Sequence, residues 1–204
     1  LLQRVKNDVA YKKVEGTKIK TTIDGNLQKA VADILNSHHN ILKGNGINNA
    51  CALVLDVTTG NVLAYIGNIY DPQNPELESD VDVIKAPRSP GSAMKPILYA
   101  AALTEGMILS NSLLADIPTQ IGGYTPQNYD RDYDGAVPAS RALARSLNIP
   151  AVRLLQQYKY QRFYDLLKQL GMTTLNNPAD HYGLSLILGG GEVTMWDLAG
   201  IYAG

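Results

Sequence analysis

Nine residues, Arg88-Ser89-Pro90-Gly91-Ser92-Ala93-Met94-Lys95-Pro96, decide where a helix can begin in this chain and what it must carry. Pro90 and Gly91 break any structure before them, and Pro96 has no N–H and is tolerated only in a first turn. The apolar run 97–103 must therefore belong to a helix that starts close to Ser92. Residues three apart on a helix share a face, which lets the Lys95 amine reach back toward the Ser92 hydroxyl. A serine hydroxyl needs a neighbouring base to attack a carbonyl near neutral pH. Lysine serves as that base only where desolvation or a second cation lowers its proton affinity. The helix mouth adds unpaired N–H groups, that of Ser92 among them, where an oxyanion would form. On these residues alone, Ser92 as a helix cap and Lys95 as a solvated first-turn residue is the more frequent arrangement. Other stretches have to decide.

Residues 1–17 are polar, lysine-rich and without period, and read as a connector. The segment 18–23 alternates like a strand, and Asp24 can cap the helix after it, where Leu27, Val31, Ile34, Leu35, Ile41 and Leu42 recur as one buried stripe. His38 and His39 point in different directions and suit a solvated last turn better than a metal site. Two apolar runs, 50–56 and 61–67, joined by Thr58-Thr59-Gly60-Asn61, predict a hairpin covered on both faces or flanked by further strands. An exposed loop is expected over 69–85, no regular element over 110–118, and then an aromatic loop whose Tyr124, Tyr129 and Tyr133 pack on the lobe or line a groove, packing being the more frequent arrangement. Pro138 opens a helix over 139–147 and Pro150 a second one. Between them Ser146-Leu147-Asn148 stands at a junction from which short polar side chains can point into a cleft, although either residue could simply cap the next helix. A helix over 160–170 stops at Gly171. Gly189-Gly190-Gly191 reads as a close-packed turn, since no Gly-Lys-Ser/Thr follows it to make a phosphate cradle. Thr194 and Asp197 form a capping box, and Trp196 is expected to anchor the last helix in the core.

Eighteen basic against nineteen acidic residues give a net charge of −1 with no basic block, which excludes nucleic acid as a partner class. The single cysteine, Cys51, rules out an intrachain disulfide and reads as a core residue. No metal or organic cofactor is implied. No apolar run is long enough to span a bilayer, and Leu1-Leu2-Gln3-Arg4-Val5-Lys6 is not a signal peptide, so the chain as given reads as soluble. It stops within what looks like a running helix, which leads us to expect a longer parent protein. His181 beside Asp180 keeps a Ser-His-Asp arrangement conceivable, with the lysine mechanism better supported.

Ser92-Ala93-Met94-Lys95, followed some fifty residues later by Ser146-Leu147-Asn148, matches the first two signatures of penicillin-binding proteins and class A β-lactamases. With Thr21-Thr22-Ile23-Asp24, the run 52–67, Arg88-Ser89-Pro90-Gly91-Ser92, Asn128-Tyr129-Asp130, 146–152 and Gly189-Gly190-Gly191-Glu192-Val193, the chain resembles the transpeptidase domain of bifunctional class A penicillin-binding proteins, most of all their 1C branch. Leu147 in place of Asp suits this branch better than the β-lactamases. The resemblance implies an α+β fold, the penicillin-binding-protein/β-lactamase-like transpeptidase fold. Here it would be truncated to the helical lobe and an N-terminal β-hairpin of the antiparallel sheet, with 18–204 as the N-terminal part of the domain. The third family motif, Lys-Thr/Ser-Gly, occurs nowhere in the chain.

By the same resemblance Ser92 is the nucleophile, Lys95 its base, Ser146 a proton relay, and Asn148 an amide holding the substrate backbone and the Lys95 amine. The implied activity is that of a peptidoglycan D,D-transpeptidase at the periplasmic or extracytoplasmic face of the bacterial inner membrane. Its partners are stem peptides and β-lactam antibiotics, and the isolated chain is expected to be an incomplete catalyst. A glycosyltransferase domain and a membrane anchor would precede it in the parent, the anchor being its only tie to the membrane. The alternative is a peptidoglycan-binding or β-lactam-sensing module without turnover. A β-lactamase would need a deacylating base, and no residue suggests itself for that task.

Overall fold

Two units make up the chain, one containing residues up to Pro87 together with Thr194–Gly204, the other Arg88–Val193. The computed structural model describes Lys6 and residues 18–204, so the connector expected over 1–17 lies, Lys6 apart, outside the described residues.

In the first unit, helix α1 (Gly25–Leu42) starts where Asp24 accepts hydrogen bonds from the N–H groups of Asn26 and Leu27, both at 2.9 Å. Strands β1 (Ala52–Leu55) and β2 (Val62–Ile66) pair antiparallel as the expected hairpin, with an irregularity between Val54 and Leu55. Gln28 ties α1 to β2, its Nε2 donating to Tyr65 O at 3.0 Å and its Oε1 accepting from Tyr65 N at 2.8 Å. The apolar stripe of α1 is covered only in part. Leu27, Val31 and Leu35 are half-buried, whereas Ile34 and Ile41 are 59% and 73% exposed, because among the described residues α1 packs chiefly on the one strand β2. His39 departs from the solvated turn expected for it. The chain reverses at Gly46 (φ 76°) and folds back, burying the ring with Nε2 3.1 Å from Asn48 O.

The hairpin is covered less than its apolar strands suggest: every residue of β1 is half-buried, and only Ala64 and Tyr65 of β2 are buried. Helix α7 (Met195–Ala203) packs with β1 and is capped as expected, Thr194 Oγ1 accepting from Asp197 N at 2.9 Å. Trp196 is half-buried, not in a core. It lines an apolar groove of 330 Å³ with Leu53, Leu55 and Val62, and Lys85 Nζ stands 4.0 Å over its ring. Cys51 is likewise half-buried, its Sγ 3.6 Å from Met195 Sδ, and burial followed by the charge of Asp82 pushes its thiol up. The 69–85 stretch is turn-rich as expected, yet Ile84 is fully buried and Asp82 accepts from the Tyr65 hydroxyl at 2.5 Å.

The second unit is mainly helical: α2 (Lys95–Thr104), α3 (Ala139–Ala144), α4 (Asn148–Tyr158), α5 (Tyr160–Gln169) and α6 (Ala179–Tyr182), followed by a 3-10 segment, Gly183–Leu188. Leu98, Ile149, Leu155, Phe163, Leu167 and Ile187 are fully buried and form its core. Strands β3 (Leu113–Asp116) and β4 (Gly135–Pro138) pair antiparallel where no regular element was expected, because four residues are too few to display a period. Tyr129 is 103% exposed and Tyr124 and Tyr133 lie at the surface, so the aromatic loop does not pack through its rings. It is anchored by buried Asn128 instead. Among the described residues no helix is long and apolar enough to cross a membrane.

Candidate active site

Ser92 lies exposed in a 3-10 turn, Gly91–Met94, that runs directly into α2. The helix therefore opens at Lys95 itself, with Pro96 in its first turn where a missing N–H costs nothing. The glycine run holds this turn from behind. Ser89 Oγ donates to Gly189 O at 2.9 Å, Arg88 and Val193 exchange backbone hydrogen bonds at 3.0 and 2.8 Å, and a Cβ on Gly189 would stand 2.8 Å from Gly91 N. The close-packed turn read from the glycines is thus the floor beneath the serine.

Lys95 is 1% exposed. Its Nζ donates to Ser146 O at 2.7 Å, to Asn148 Oδ1 at 2.7 Å and, more weakly, to Ser146 Oγ at 3.3 Å. Among the described residues it forms no hydrogen bond with Ser92, so the expected reach-back is not the resting contact. A buried ammonium has three donors to satisfy, and the 146–148 junction offers three oxygens where Ser92 would offer one. No carboxylate is among these partners, and burial lowers the amine to about 8.

Ser146 and Asn148 do not cap α4. Leu147 occupies the cap position without a side-chain hydrogen bond, and Ser146, exposed, holds a left-handed backbone with φ 55°. A serine in that conformation is uncommon outside sites that need it. It also explains why α3 stops at Ala144, short of the helix expected to run to 147. Asn148 Nδ2 donates to Gln127 O at 2.8 Å, which fixes the amide with Oδ1 toward Lys95. The first N–H groups of α4, those of Asn148 and Ile149, are taken at 2.9 and 3.3 Å by Oδ1 of Asn128. Asn128 and its partner Asp116 were not read as site residues in the sequence: Asn128-Tyr129-Asp130 entered the family resemblance with no role attached, and Asp116 lies where no regular element was expected.

The four residues predicted as a site, Ser92, Lys95, Ser146 and Asn148, all lie in the second unit, and three are joined by hydrogen bonds. Asp180 accepts from the Tyr160 hydroxyl at 2.7 Å, His181 stands edge-on to Tyr182, and among the described residues neither is hydrogen-bonded to Ser92. Among the described residues no cluster of three or more His, Cys, Asp or Glu could hold a metal ion. The arrangement offers an exposed hydroxyl, a buried amine of lowered proton affinity one turn further on, and a second hydroxyl on that amine.

Comparison with known proteins gives the same direction. The model of the penicillin binding protein transpeptidase domain matches residues 50–190. The chain is 35% identical over 190 residues to penicillin-binding protein 1C of Escherichia coli (strain K12), covering 93% of this chain and 24% of that protein. It is 34% identical over 156 residues to penicillin-binding protein 1A of Aquifex aeolicus (strain VF5), covering 72% and 20%. Among solved structures, PonA1 of Mycobacterium tuberculosis in complex with penicillin V superposes with a TM-score of 0.77 at 23% identity, over 97% of this chain and 55% of that one. Penicillin-binding protein 1A of Haemophilus influenzae gives a TM-score of 0.63 at 28% identity, over 76% and 23%. The chain spans between a fifth and a quarter of the length of these two curated relatives.

Proposed function

Because the chain belongs to the penicillin-binding protein transpeptidase family, we propose that it carries the acylating residues of a peptidoglycan D,D-transpeptidase. The observation that carries the reading is Lys95. Among the described residues it is buried without a charged partner, bonded to Ser146 and Asn148, and one turn beyond an exposed serine.

In this reading the Ser92 hydroxyl attacks the carbonyl between the two terminal D-alanines of a stem peptide, and its proton passes to the neutral Lys95 amine. The Ser92 N–H faces the oxyanion. As the intermediate collapses the C–N bond breaks, Ser146 relays a proton to the leaving nitrogen, and D-alanine departs to leave an ester on Ser92. Asn148 holds the substrate backbone throughout. An amine from a neighbouring stem then attacks the ester, loses its proton to the same relay and frees Ser92, forming the cross-link. A β-lactam follows the first half of this path, but its leaving nitrogen stays tethered and blocks the acceptor. The Ser92–Lys95 contact tightens only once substrate is bound, as catalytic hydrogen bonds often do. The parent protein acts at the extracytoplasmic face of the cell membrane and also carries a glycosyltransferase domain.

Incubating the full-length protein with a labelled penicillin should mark one site per molecule and mark nothing in Ser92→Ala. Absence of label, or label that survives the substitution, overturns the mechanism. The 204-residue chain alone, which contains no Lys-Thr/Ser-Gly triplet, should label far more slowly. Acylation with no cross-linked product from stem peptides would move the assignment to a β-lactam sensor.

A further inference from the structure

We propose that Asp116 and Asn128 form a buried positioning pair that holds Asn148, and through it the Lys95 amine, in the arrangement acylation requires; this rests on the acyl-transfer reading above. Both are out of water, Asp116 at 0% and Asn128 at 4% exposure. Every hydrogen-bonding position of the Asn128 amide is used. Nδ2 donates to Asp116 Oδ1 at 2.8 Å and to Asp132 O at 2.9 Å, while Oδ1 accepts from Asn148 N and Ile149 N. A flipped amide would set donor against donor, so only one orientation is compatible with these neighbours. Asp116 is itself fixed, because it ends β3 opposite Gly135 of β4 and its Oδ2 accepts from Asp134 N at 2.9 Å.

A continuous set of hydrogen bonds therefore runs from the β3–β4 pair to the amine. Asn128 takes the backbone of Asn148, the adjacent Gln127 takes its side-chain Nδ2, and the remaining Oδ1 accepts from Lys95 Nζ. The start of α4 has no side-chain cap of its own, and its N–H groups would be unsatisfied without Asn128. Burial strengthens the Asn128–Asp116 and Asn128–Ile149 bonds and makes a partner orphaned there costlier. Removing the Asn128 side chain releases the backbone of Asn148 and unties the loop that carries Gln127, loosening both contacts that keep Asn148 Oδ1 on Nζ. Asp116 and Asn128 touch no reacting atom and act only through Asn148.

The test separates binding from chemistry in the full-length protein, by stopped-flow measurement of the non-covalent binding constant and the acylation rate constant for a fluorescent penicillin. Asn128→Ala should lower the rate constant about 10- to 100-fold, the range for loss of an outer positioning contact, with binding changed less than about threefold. Asn128→Asp sets two carboxylates together and should lose rate as well. Adding Asp116→Asn restores the donor–acceptor pair at the original charge, without the bond to Asp132 O, and should recover part of the lost rate. The pair is overturned by a rate constant within about threefold of the unaltered protein, by equal loss in both constants, or by a double variant no faster than Asn128→Asp. Where Asn128→Ala fails to melt cooperatively, the comparison of Asn128→Asp with the double variant decides alone. Amide hydrogen exchange at Asn148 and Ile149 needs no activity: it should accelerate in the Asn128 variants, and unchanged exchange overturns the pair. Absence of acylation in the unaltered protein counts against the acyl-transfer reading only.

Discussion

Lys95 combines near-complete burial with three neutral oxygen partners, and the balance falls against its charged form. With the amine at about 8, about one molecule in ten carries it neutral at pH 7, against roughly one in a few thousand for a free lysine. In the proposed mechanism the base is the deprotonated amine, so the acylation rate should rise as pH rises, about tenfold per unit below 8 and flattening above it. A stopped-flow profile that is flat from pH 6 to 8 would remove Lys95 from the role of base. Ser146 carries a different burden. Its φ of 55° costs an L-residue about 1 kcal/mol, a strain that glycine does not feel. Ser146→Gly should therefore leave stability in urea unchanged or up to about 1 kcal/mol higher. Acylation should slow about a hundredfold as the proposed relay hydroxyl is lost. Unaltered acylation in that variant would mean that Ser146 matters for its backbone alone.

Several elements begin or end where local chemistry dictates. Asp24 caps α1, Thr194 caps α7, and Thr58-Thr59-Gly60-Asn61 turns the hairpin, each through a contact within a few residues of sequence. Others are set from a distance. The turn bearing Ser92 is held by Gly189, a hundred residues on from Ser89, at a φ of 97° and with no room for a side chain. Gly189→Ala combines backbone strain with overlap onto Ser89 and Gly91, and should cost about 2–4 kcal/mol in thermal or urea unfolding. It should slow acylation as well, because the displaced segment carries the proposed nucleophile; wild-type stability would show that the turn has slack. The pairing of β3 with β4 and the burial of His39 escaped the sequence for a related reason. Four-residue strands display no period, and whether a histidine near a helix end is solvated depends on where the following chain goes.

Within the second unit, the lysine and its acceptors are 51 and 53 residues apart in sequence, and Asn128 stands 20 residues before the Asn148 it supports. The apolar runs of the first unit announced a hairpin, but they left open how fully it is covered, and β1 is half-buried throughout. What the sequence determined alone is what depends on neighbours along the chain. Breakers and caps set the element boundaries, periodicity set helix faces, and the motifs that hold Ser92, Lys95, Ser146 and Asn148 carried the family resemblance. Only the tertiary structure decided that Lys95 rests on Ser146 and Asn148 and not on Ser92, that Ser146 is left-handed, and that Asp116 and Asn128 stand behind the site. Desolvation and the satisfaction of buried donors depend on which remote segments exclude water from a residue, and a linear pattern does not specify those partners.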